Sequence, residues 1–206
     1  MVPAARPAIR VRLRPVAGLG RLPETPPDEA LERPMTTQVR LNDVDIDAVG
    51  ALVGAVQADA TKAATTWAAH VTWTGGFRSE ARVRGFTPTP SDEPTALGGG
   101  DSAANPVEQL LSALGNCLAV GYAANATVAG IRLDDLRIDL KGDIDLRVFL
   151  GLAEGHAGFD SITAKVTISS PASREELETL HAKVIGSSPV GHTLGSAVPV
   201  TIELAG

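Results

Sequence analysis

Among 206 residues there is a single cysteine, Cys117, and it is the one side chain with an obvious capacity for covalent chemistry. A lone thiol cannot support an intrachain disulfide framework or a cysteine-rich zinc module, and it fits a reducing, cytoplasmic setting. As a thiolate it can attack an electrophile or be oxidised, provided the fold brings a cation or a proton donor to it. Without such help a cysteine in an apolar helix is an inert small hydrophobe. The four histidines, His70, His156, His181 and His192, show neither HxxxH nor HExxH spacing, so no metal is expected. There is no Walker A loop and no GxGxxG. Gly98-Gly99-Gly100 alone is a weak phosphate signal, so no cofactor is expected either. Ser187-Ser188-Pro189 follows Gly186, but Val190 stands where a GxSxG elbow needs its last glycine. Asp143 and Asp145 fall on the outer face of an alternating segment and read as solvated charges.

Cys117 lies in the longest uncharged stretch of the chain, from Gln109 to Ile131. That length would span a bilayer. Ser112, Gly115, Asn116, Gly121, Asn125 and Thr127 dilute it, however, and no basic cluster flanks it, so no membrane association is expected. The remaining reading is a helix apolar on all sides and buried in a core. Asn105 as N-cap and Pro106 in the first turn place its start, giving a central helix over about 106–130.

The flanking segments must hold this helix. Val44, Val49, Leu52, Val53 and Val56 recur at helical spacing, predicting a helix over about 43–63. Residues 65–73 and 77–85 read as strands joined at Gly75-Gly76, and 87–105 reads as a loop rich in proline and glycine. Residues 136–146 and 162–168 alternate apolar and polar, as strands with one wet face do. A helix follows Ser173, residues 186–195 carry turn chemistry, and 198–204 closes as a strand. Helices and strands in that order predict an α+β fold.

Residues 1–34 differ from the rest. They hold seven of the fourteen prolines and a net charge of +2, and read as a disordered proline- and arginine-rich extension. The whole chain carries −6 with 3% aromatics, which argues against nucleic-acid partners. With 44% hydrophobic residues a substantial core is available.

The run Asn105-Pro106-Val107-Glu108-Gln109-Leu110-Leu111-Ser112-Ala113-Leu114-Gly115-Asn116-Cys117-Leu118 resembles the cysteine-bearing helix of the OsmC/Ohr family, the osmotically induced and organic-hydroperoxide-resistance proteins. Asp92-Glu93-Pro94 with Gly98-Gly99-Gly100-Asp101, and Ser188-Pro189-Val190 through Val198-Pro199-Val200, resemble further motifs of that family in the same order. The resemblance implies an OsmC-like domain over 35–206, with a long central helix wrapped by antiparallel sheet in an intertwined homodimer. It also implies a thiol-dependent peroxidase that reduces organic hydroperoxides in oxidative stress defence. By position Cys117 matches the peroxidatic cysteine, Arg78 best matches the arginine that activates the thiolate, and Glu108 is the candidate for its glutamate partner. Arg82 and Arg84 compete with Arg78.

Two departures qualify this. Ser188 stands where the family's resolving cysteine precedes a proline, so an oxidised Cys117 would need an external thiol reductant. Glu108 lies nine residues before Cys117, about half a turn away around an ideal helix. It either acts through a changed helix start or serves the helix N-terminus. Beside the peroxidase reading stand two others from the same residues: a non-enzymatic dimer binding a hydrophobic small molecule, and a stress-linked structural dimer.

Overall fold

The computed structural model describes residues 40–204 and, for the backbone alone, residues 10–13. Its centre is a 23-residue helix, α2 (Pro106–Val128), and the sequence explains both ends of its first turn. The Asn105 side chain accepts the Glu108 backbone N–H at 2.9 Å, and the Glu108 carboxylate accepts the Asn105 N–H at 2.8 Å. Pro106 occupies a position that needs no donor.

Before α2 come α1 (Ile46–Ala58) and a sheet of three antiparallel strands, β2 (His70–Gly75), β3 (Arg78–Arg82) and β4 (Thr89–Ser91). After it, β5 (Asp135–Ile144) and β6 (Phe159–Ser169) form a long antiparallel ribbon on either side of a short helix, α3 (Leu146–Phe149). The chain then runs through α4 (Arg174–Ile185), α5 (Pro189–Gly195) and β7 (Thr201–Leu204). The α+β expectation holds.

The core forms where α2 meets β5, β6 and α4. Leu118, Tyr122 and Ala126 recur every four residues on α2 and are buried with Ile131, Leu180 and Val184. Along β5, Leu136, Ile138 and Leu140 turn inward while Asp135, Arg137, Asp139, Lys141 and Asp143 face water. Gly115 allows the close approach, because a Cβ there would stand 2.8 Å from the Leu140 side chain. In the single chain, however, α2 is buried along one stripe and not all round. Val120 remains 69% exposed and Val128 58%.

Several local expectations are corrected. The helix expected over 43–63 is α1 followed by a short 3-10 turn, Ala60–Ala63. Asp45 accepts the Ala48 N–H and sets the start; Asp59 ends α1 and accepts the Thr61 N–H of the turn. The segment 186–195, expected as turns, contains α5, because Ser188 caps it and Pro189 starts it. Asp143 is an exposed strand charge paired with Lys141, as expected, whereas Asp145 caps α3. The loop 87–105 carries β4 and a 3-10 turn, Thr95–Leu97.

Within the 1–34 extension, Arg10–Leu13 forms β1, which pairs in parallel with β7 in register Arg10↔Thr201 to Leu13↔Leu204. This differs from the disorder expected there. Those four residues sit in a proline-free interval between Pro7 and Pro15 in which apolar and arginine residues alternate, a pattern a strand accepts. The remainder of the extension, with 35–39, lies outside the described residues. No described helix is long and apolar enough to cross a membrane.

Candidate active site

Cys117 sits near the middle of α2, half-buried, with its Sγ 3.3 Å from the Oγ of Ser188. Ser188 is only 4% exposed. It holds its place because its Oγ accepts the Gly191 N–H at 3.1 Å and its carbonyl accepts the His192 N–H at 2.9 Å, the two bonds that begin α5. Gly191 packs toward Leu114, one turn before Cys117 on α2. Thus the capping of α5 and the packing of α5 on α2 bring a hydroxyl to the only thiol from 71 residues away.

A cavity of about 350 Å³ lies between α2, β6 and α5, and neither Cys117 nor Ser188 is part of its wall. Leu114 and Gly191 belong to its wall, together with Phe159, Ile162, Ala164 and Leu194. Its lining is mixed, because Asp160 and Ser161 also face it.

The other sequence-derived candidates are placed elsewhere. The Glu108 carboxylate is engaged in the helix cap, and nine residues of helix separate it from Cys117 by about 13 Å along the axis. Arg78 lies exposed at the start of β3 and donates from Nε to the Gly75 carbonyl at 3.3 Å. Among the described residues no hydrogen bond or ion pair joins it to Cys117. Of the three arginines of this hairpin region, Arg82 pairs with Glu80 at 3.1 Å and Arg84 lies over the Phe86 ring at 4.6 Å. Arg78 has no carboxylate partner among the described residues.

Two features were not legible as part of the site. The first is Asp92, 1% exposed, which ties the loop before α2. Its carboxylate accepts the Ser102 hydroxyl at 2.7 Å and the N–H groups of Glu93, Gly100 and Ser102. Gly99 lets the loop fold back so tightly that a Cβ there would lie 1.8 Å from the Glu93 carbonyl oxygen. Gln109 completes the join by donating to the Pro90 and Ala104 carbonyls at 2.9 Å each. The Asp92-Glu93-Pro94 and glycine motifs signalled a special loop, but not the buried carboxylate at its centre. The second is the Tyr122 hydroxyl, which is hydrogen-bonded to His181 Nδ1 beneath α4, with the two rings stacked at 6.1 Å.

The Ser102 hydroxyl, followed by the backbone donors, holds the Asp92 carboxyl below the usual carboxylate range against the opposing effect of burial. A depressed folded value means that Asp92 stabilises the fold above its unfolded value, near pH 4, and that this is lost as pH falls through the lower folded value. Asp92→Asn is therefore expected to melt several degrees below the parent at neutral pH. The gap should narrow in thermal scans below about pH 4. A gap independent of pH would remove the carboxylate's charge from the account.

Among the described residues no cluster of His, Cys, Asp and Glu could hold a metal ion.

The OsmC-like protein family model matches residues 98–203, which takes in the thiol, the hydroxyl and the elements that join them. No curated protein matches the chain. Among solved structures, an OsmC-like protein from Mycoplasma pneumoniae superposes with a TM-score of 0.56 at 18% identity, over 68% of this chain and 97% of that one. A putative osmotic stress induced and detoxification response protein from Psychrobacter arcticus 273-4 gives 0.54 at 13% identity, over 69% and 96%. An organic hydroperoxide resistance protein OsmC from Legionella pneumophila gives 0.51 at 19%, over 69% and 99%. With more than half its length matched to the family model and its architecture shared with these structures, the chain belongs to the OsmC-like family.

Proposed function

We propose that this protein is a one-cysteine thiol peroxidase that reduces organic hydroperoxides, with Cys117 as nucleophile. The observation that carries this reading is the Cys117–Ser188 contact of 3.3 Å, which places a polar hydrogen-bonding group against the only thiol. An inert structural cysteine needs no such neighbour. The hydroperoxide resistance named for the Legionella relative agrees with this chemistry.

In the reaction, Cys117 loses its proton and the thiolate attacks the distal peroxide oxygen. The O–O bond breaks, sulfur takes that oxygen as sulfenic acid, and the alkoxide leaves and is protonated to the alcohol. A first external thiol then forms a mixed disulfide with release of water. A second reduces it, restoring Cys117 and leaving with the disulfide of the two external thiols.

The working unit in this proposal is a homodimer. Val120 and Val128 on α2, and Val71 and Trp73 on β2, are apolar side chains that the single chain leaves in water, Trp73 at 73% exposure. Apolar surface of that kind is what an obligate interface covers. A second copy laid there is also the route by which Arg78 would reach a thiol. Sedimentation at micromolar concentration is expected to show a dimer; a stable folded monomer would overturn this part.

The cavity walled by Leu114, Phe159, Ile162 and Leu194 also suits the second reading, a dimer that binds a hydrophobic small molecule without turnover. Intact-mass spectrometry separates the two. Cumene hydroperoxide without thiol is expected to add oxygen to Cys117, first one and then more, while an added small thiol diverts it to a mixed disulfide. An unmodified mass after prolonged exposure of the folded protein would leave ligand binding as the reading.

A further inference from the structure

We infer that Ser188 is a catalytic residue in its own right: its hydroxyl donates a hydrogen bond to the Cys117 sulfur when it reacts as the thiolate. The inference rests on the peroxidase reading for its purpose, but its geometry is independent of it. A serine hydroxyl has one proton and two lone pairs. At Ser188 one lone pair accepts the Gly191 N–H at 3.1 Å, so that oxygen is fixed as the cap of α5. Its proton remains, and among the described residues the other polar atom it meets is Cys117 Sγ at 3.3 Å.

While the sulfur carries its proton, either group can donate. Once the proton has gone to solvent the thiolate is a pure acceptor, and Ser188 must be the donor. A hydrogen bond that strengthens when its acceptor becomes charged favours the charged form. Burial sharpens this, because a serine that is 4% exposed has little water to satisfy its hydroxyl instead. Ser188 therefore does more than mark the place of a missing second sulfur. As the cap of α5 it touches the reacting atom, and it gives the thiolate a donor within the chain itself, without waiting for Arg78.

The test is the rate of Cys117 alkylation by iodoacetamide as a function of pH in the folded full-length protein, with no peroxide present. Ser188→Ala is expected to move the profile to higher pH and to slow alkylation near neutrality by about tenfold, the scale of one hydrogen bond to a charged group. Ser188→Thr, which keeps both hydroxyl and cap, should restore the parent profile. Ser188→Gly removes the same hydroxyl but leaves a residue tolerated as a helix cap, and repeats the test should the alanine variant unfold. Superimposable profiles for the parent and either hydroxyl-free variant would overturn the inference. Failure of cumene hydroperoxide to oxidise the parent would overturn the peroxidase reading instead, while the alkylation profiles still decide the role of Ser188.

Discussion

Cys117→Ser is expected to reduce hydroperoxide consumption with an external dithiol to the uncatalysed background, a loss on the order of 10³-fold or more. The substitution changes one atom. A serine hydroxyl fills nearly the same volume at the half-buried position and can still hydrogen-bond Ser188, so the fold should survive intact. What disappears is the nucleophile, because an alcohol at neutral pH neither ionises appreciably nor accepts oxygen from a peroxide. Thermal scans of the variant within a few degrees of the parent, together with absent turnover, would separate chemistry from stability. Residual activity near the parent's would place the reaction elsewhere and end the role given to Cys117. The companion variant Ser188→Cys brings a second sulfur to a contact now 3.3 Å long. After peroxide it should lose two hydrogens as an internal disulfide and resist the over-oxidation expected of the parent.

The largest stability effect is expected at Tyr122. Its side chain is 0% exposed, the centre of the cluster that joins α2 to α4. Tyr122→Ala removes the ring, leaves a cavity against Leu118, Leu180 and Val184, and takes the partner from His181 Nδ1. Deletions of buried aromatic rings cost about 3–5 kcal/mol. Against a total stability of about 5–15 kcal/mol, that brings the protein close to unfolding at ambient temperature. Tyr122→Phe keeps the ring and loses only the hydroxyl, and should cost about 1 kcal/mol. Urea titrations of the two variants check the ordering. Burial also pushes the Tyr122 hydroxyl above its ordinary value. Its raised folded value means that the unfolded chain releases this proton first, so stability falls as pH rises beyond about 10. Tyr122→Phe should lose that alkaline dependence.

The elements around the site were legible to the extent that their signals are local. Asn105, Pro106 and Glu108 announce the start of α2 because a capping box closes within four residues. The alternation of Leu136 to Ile144 announces β5 because every second side chain must face the same way. Ser173 and Glu176 announce α4 for the same reason as α2. Where two local signals compete, the sequence reading fails. In 186–195 the glycines and Pro189 suggest turns, yet packing of Gly191 toward Leu114 and the Ser188 cap select a helix. β1 escaped notice because its partner strand, β7, lies at the opposite end of the chain.

By itself, then, the sequence determined the α+β architecture, the long central helix and the thiol at its middle, since helical period, capping and the single cysteine are properties of neighbouring residues. Only the tertiary structure decided that Ser188 touches Cys117, that Glu108 is consumed in the cap, that Asp92 is the buried tie of the preceding loop, and that Arg78 stands apart from the thiol within one chain. The physical reason is that a contact spanning 71 residues depends on how α5 packs against α2. That packing is the joint outcome of burial around Leu118, Tyr122 and Val184, and no local pattern encodes it.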